Sequence, residues 1–106
     1  MARTLNRATA VLTTSEADIY TAPSDSKAMS LLVQAVNNSS NPVSCEIWVT
    51  DASNTHDACL FPTQSIAAYS GLSDTAKHII PANYKIRGVA GAGSVVYVEV
   101  SVVEGV

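Results

Sequence analysis

At 106 residues the chain is one domain by the usual length prior, able to bury roughly 65% of its unfolded surface. Charged residues make up 14% and hydrophobic residues 47%; the second figure excludes disorder, and the first leaves Ser, Thr, Asn and Gln to make most of the surface. The net charge of −3 comes with six scattered basic residues (Arg3, Arg7, Lys27, Lys77, Lys85, Arg87) and no basic stripe to neutralise phosphates, which excludes nucleic acid as a partner.

No apolar run approaches the ~20 residues of a membrane-spanning helix. The opening MARTLNRATAVLTTS has arginines but no continuous apolar stretch, so it does not read as a secretory signal, and synthesis in a cytoplasm is expected. Residues 1–8 are polar and lack an alternation of their own. They are read as an N-terminal arm, with a single domain over 9–106.

In chain order the first elements are short strands over Ala8–Thr13 and Ala17–Ala22, closed by the turn residues Pro23-Ser24-Asp25-Ser26. Met29–Val36 follows, with Met29, Leu31, Val33 and Ala35 expected on one face. After the Asn37–Pro42 loop, Val43–Thr50 alternates cleanly: Val43, Cys45, Ile47 and Val49 against Ser44, Glu46, Trp48 and Thr50. Shorter strands are expected at Ala58–Phe61 and Ala76–Ile80. The stretch Ser65–Tyr69 is the best helical candidate, and it is too short to stand alone. Tyr84–Val89 alternates next, and Ser94–Val103 carries a valine ladder at its even positions with Tyr97, Glu99 and Ser101 opposite. The pattern predicts an all-β fold, an antiparallel sandwich or jelly-roll-like barrel of seven to eight short strands. Its expected core contains Leu31, Ile47, Val49, Ile86, Val96, Val98 and Val100.

Chemistry-bearing residue types are present without the spacing that chemistry needs. His56 and Cys59 form one close pair of metal-ligand types, but Cys45 and His78 stand apart in sequence, so loop residues beside a thiol is the preferred reading and no metal is expected. Tyr69-Ser70-Gly71-Leu72-Ser73 only superficially suggests a nucleophile elbow, and it sits in turn-like sequence. No pair among Glu46, Asp51, Asp57 and Asp74 is selected for acid–base work. No catalytic residue or cofactor is expected, and the chain is read as non-enzymatic. Cys45 and Cys59 are expected as free thiols, as a reducing cytosol favours. Trp48 lies on the polar side of its strand, either covered at a sandwich edge or barrel end, or an anchor at a subunit contact.

Two segments carry a resemblance: Leu12-Thr13-Thr14-Ser15-Glu16-Ala17-Asp18-Ile19-Tyr20-Thr21-Ala22-Pro23 and Ile47-Trp48-Val49-Thr50-Asp51-Ala52-Ser53. Together with Ile80–Gly88, where Ala82-Asn83 replaces a more usual Gly-Asp, they resemble small β-sandwich structural proteins of tailed bacteriophages. The resemblance implies a virion protein made in the bacterial host cytoplasm, a capsid cement or decoration protein that binds the phage major capsid protein and stabilises the head. It further implies a homotrimer; the arm, whose backbone groups have no expected partner in its own sheet and can add to a neighbour's edge strand, and the outward Trp48 make Arg3, Leu5, Arg7 and Trp48 the expected interface residues. An accessory tail or neck protein is the alternative. A receptor- or carbohydrate-binding β-domain would want more exposed aromatics than one Trp and four Tyr provide, and a small hydrolase is the remaining rival.

Overall fold

A computed structural model describes residues 3–106. Among them lie nine strands and no helix: β1 (Thr4–Val11), β2 (Ala17–Thr21), β3 (Ala28–Asn37), β4 (Val43–Thr50), β5 (His56–Ile66), β6 (Gly71–Asp74), β7 (Ile79–Ile80), β8 (Lys85–Ala90) and β9 (Val96–Glu104). They form two antiparallel sheets. The first has the order β1-β9-β3-β6, with β7 also on β3; the second has the order β2-β8-β4-β5. Strands β6 and β7 follow each other along the same edge of β3, opposite its C-terminal and N-terminal ends. They act as one interrupted strand, so eight strand positions remain. Apart from the β4–β5 hairpin, each connection crosses from one sheet to the other. This is the jelly-roll wrapping of a double-sheet sandwich.

The valine ladder explains where the core sits. Val96, Val98, Val100 and Val102 of β9 point between the sheets and are 0–3% exposed. They meet Ile47 and Val49 of β4 and Ile86 of β8 within one continuous core. Each such side chain contributes roughly 1.5–3 kcal/mol by leaving water.

Four expectations need correction. The arm is bound over much of its length: residues 4–8 belong to β1, which pairs in unbroken register with β9 from Thr4↔Glu104 to Val11↔Tyr97. Its start escaped the alternation rule because Thr4–Arg7 are exposed on both faces. Residues 1–2 of the expected arm lie outside the described residues. Leu31 is half-buried instead of in the core, because a β-bulge between Ser30 and Leu32 inserts it as an extra residue. The bulge reverses the phase of β3, so Met29 faces outward while Val33 and Ala35 face the core. Finally, Gly71–Asp74 is a strand in turn-like sequence, and β5 runs from His56 through Ile66 instead of covering only Ala58–Phe61.

One buried polar residue ties the loops at one end of the sandwich. Asn37, at the end of β3, is fully buried. Its amide nitrogen donates to the carbonyls of Asn41 at 2.8 Å, Ile66 at 3.0 Å and Ala67 at 3.3 Å. Its side-chain oxygen accepts from Ser39 Oγ at 2.7 Å. The β3–β4 and β5–β6 connections are thereby fastened to one side chain. Asn37→Ala strands these groups and is expected to cost about 3 kcal/mol. Asn37→Asp is expected to cost more, because it sets a carboxylate against carbonyl oxygens. Urea unfolding followed by the fluorescence of Trp48, the only tryptophan, measures both.

Candidate interaction surfaces

The two outer faces of the sandwich differ in kind. On the β2-β8-β4-β5 sheet the centre is Trp48. Its cross-strand neighbours are Arg87 on β8 and Cys59 on β5. The His56 ring stacks on the indole, with centroids 4.2 Å apart and planes 12° from parallel. His56 Nε2 lies 2.7 Å from Glu16 Oε1. Arg87 in turn donates from Nε to Asp18 at 2.7 Å and from a terminal nitrogen to Glu16 at 2.8 Å. Lys85 Nζ sits 3.5 Å from the same Asp18 and donates to Asn54 at 3.0 Å. Alternation in β4 and β8 turns these side chains outward, and β2 brings its acids alongside. The result is a charged surface whose partners are supplied from within the chain. Trp48 Nε1 is buried without a hydrogen-bond partner.

On the β1-β9-β3 face, two apolar rows cross the sheet. One runs Leu5–Val103–Met29–Ile79 through directly opposed residues, and its ends are open, with Leu5 77% and Ile79 55% exposed. The other runs Val11–Tyr97–Val36, with Val11 44% and Tyr97 48% exposed. A shallow groove lies along this second row, bordered by Thr9, Gln34 and Glu99. The Arg7–Glu99 ion pair separates the two rows.

The expected interface residues therefore do not converge. Arg3 is exposed just ahead of β1, Leu5 and Arg7 are on its outer face, and Trp48 belongs to the opposite sheet. Tyr97 was visible in the sequence as a member of a mixed face, and Val103 only as the end of the same strand. Their rows were not, since a row exists only once the register is known. Tyr69, in turn-like sequence, is exposed and holds a left-handed φ of 54° at the β5–β6 turn, a conformation rarely adopted by a bulky residue. The metal-ligand residue types are dispersed as well. Cys45 is in the core and Cys59 on the outer face, while His78 bonds Asp74 at 3.0 Å beside β7. Because Cys45 and Cys59 occupy opposite faces of one hairpin, they cannot bond each other; both are free.

No family model matches the chain, and no curated protein matches it in sequence. Its fold has counterparts among solved structures. A chain from the acid-stable capsid of Helicobacter pylori bacteriophage KHP30 superposes with a TM-score of 0.61 at 10% identity, covering 98% of this chain and 87% of that one. A chain from the Bacillus endospore appendages, a family of disulfide-linked pili, superposes with a TM-score of 0.59 at 16% identity, over 97% and 84%. The class these define together with the topology is a small, single jelly-roll domain.

Two measurements test the site geometry. Burial, and then the Glu46 charge, pushes the Cys45 thiol up to about 11; the same causes raise Cys59. A thiol reagent at pH 8 should therefore modify one cysteine per native chain, Cys59, more slowly than a free thiol, and two after denaturation. Equal native reactivity at both would contradict the burial. The Glu46 carboxyl is lowered chiefly by the Thr63 hydroxyl, and that of Asp74 by the Ala76 amide and His78. Both stabilise the fold above their unfolded pKa values and lose that contribution as pH falls through the folded ones. The melting temperature should drop below about pH 4, and Glu46→Gln with Asp74→Asn should flatten that drop.

Proposed function

We propose that this chain is a non-enzymatic virion structural protein, a decoration protein that binds an assembled phage head and stabilises it. The observation that carries the reading is the end-to-end match with a chain of a phage capsid structure. That chain is itself little longer than this one, since 98% of one spans 87% of the other. The likeness is thus to a small single-domain component of a capsid, which is the size class of a decoration protein. The sequence resemblance to structural proteins of tailed phages points the same way, and so does the surface: sparse charge and two exposed apolar rows suit a protein that works against other proteins.

The mechanism is mass action. A protein that binds the assembled lattice and not its dissociated subunits stabilises the lattice, and many identical copies multiply a modest contact. Trp48, with the charged surface around it, and the apolar rows are the two faces available for the shell. An accessory tail or neck protein is the alternative within the same particle. A disulfide-linked appendage is disfavoured by the thiols: with Cys45 buried, one accessible cysteine per chain ends at a linked pair and cannot propagate a polymer.

The purified protein is expected to cosediment with expanded heads of the phage that encodes it, saturating at a fixed number of copies, and to raise the temperature at which those heads open. Binding to tails and not to heads would select the accessory reading, and binding to neither would overturn both.

A further inference from the structure

The jelly roll has four sheet edges, and three are blunted. At β5, three single-residue register shifts against β4 and a proline, Pro62, interrupt the edge. The β6/β7 edge is broken into pieces of four and two residues. β2 is five residues long with a bulge between Asp18 and Tyr20, and it presents Asp18 beside Arg87. Short strands, bulges, proline and charge are the standard defences against edge-to-edge pairing. β1 has only Arg7 and the Asn6 side chain bonded to its amide: it runs eight residues with no bulge and no proline.

Its backbone is presented for pairing. The Leu12 amide donates to the Val96 carbonyl at 2.9 Å, in line with the β1–β9 register. By the two-residue alternation of an antiparallel ladder, Ala10, Ala8 and Asn6 also turn their polar groups to β9. The carbonyls of Leu5, Arg7, Thr9 and Val11 and the amides of Leu5, Thr9 and Val11 are then left at the open edge, while the Arg7 amide donates to Oδ1 of the preceding Asn6 at 2.8 Å, an exposed bond that strand pairing would exchange for a backbone one.

We propose that β1 pairs antiparallel with β1 of a second copy of this chain, centred on Ala8, joining the two first sheets into one continuous sheet. The side chains choose the partner and the register. With a twofold axis perpendicular to the sheet, outer residues must oppose outer residues, so the axis passes through a residue and not between two. Centres at Arg7 and at Ala8 each engage seven residues of β1. The Arg7 centre sets Arg7 against Arg7, a destabilising like-charge pair. The Ala8 centre opposes Ala8 to Ala8, Arg7 to Thr9 and Leu5 to Val11. It also makes the row that ends on Leu5 run on into the row that begins with Val11 of the second copy, twice by symmetry. Two rows that stop at an open edge in one chain thus become two uninterrupted rows in the pair. This inference does not depend on a virion role.

The test uses the intact protein. Sedimentation equilibrium should show a reversible dimer, twice 11.1 kDa. Leu5→Lys alters a side chain that is 77% exposed, so it should melt as the parent does. It should nevertheless raise the dimer Kd about tenfold or more, since each dimer loses two cross-strand apolar pairs. Ile79→Lys, equally apolar-to-charged but at the far edge, should leave Kd unchanged. Opposed residues in a non-hydrogen-bonded pair lie about 4.5 Å apart at Cα, within disulfide range. Ala8→Cys in a Cys59→Ser background should therefore form a disulfide-linked dimer under mild oxidation. A monomer at several hundred micromolar, a trimer, or Leu5→Lys and Ile79→Lys weakening the dimer alike would each overturn the proposal. So would a folded Ala8→Cys protein that does not cross-link.

Discussion

Everything in this molecule depends on β9 being inserted between β1 and β3. It supplies the four core valines, and it is the sole sheet neighbour of β1. Because β9 follows all eight other strands, the first sheet cannot close until residues 96–104 are available. Pairings such as Thr4↔Glu104 span nearly the full sequence, and such non-local contacts require loop closure before they return any stability. Until then β3 lacks its longest partner and β1 lacks any, so the chain is committed to a late, cooperative closure.

That placement also explains why β1 is poorly defended. β1 rests on β9 alone, its first four residues reach beyond the core, and only Ala8 and Ala10 pack against buried residues. Its small inward side chains keep it on the sheet without filling the interior. Leu5 and Val11 are left over on the outside, next to Val103 and Tyr97 of β9. The two apolar rows are therefore consequences of strand order: the same strand that fills the core with its even residues carries the rows with its odd ones.

Legibility in the sequence followed the physics of alternation. β4, β8 and β9 were plain because one face of each is buried and the other is wet, and period two records that directly. β3 was read half correctly, since a bulge at Leu31 is a two-against-one arrangement that exists only relative to a partner strand. β6 and the start of β1 were missed for the opposite reason, being short or exposed on both sides, with no contrast to read. The interaction surfaces were the least legible. Arg3, Leu5 and Arg7 are exposed, but what sets Leu5 apart is its row with Val103, Met29 and Ile79, which sequence distance hides.

The two outer faces divide the surface chemistry in a way that composition alone could not reveal. With so few charges in the chain, their distribution matters more than their number. Glu16, Asp18, Lys85 and Arg87 are gathered on the second sheet, where each is satisfied by another and where they shield Trp48 together with His56. Concentrating them there leaves the first sheet with little beyond Arg7–Glu99 to keep it in water. A pair of charges that already bond each other resists non-specific contact only weakly, because its field is largely cancelled at a distance. Selectivity on that face must come from shape and register instead: from which strand edge is open, and from which rows line up across it. On a low-charge jelly roll with one lightly defended edge, any pairing through the first sheet is constrained by geometry, and the residues that set that geometry are those of β1.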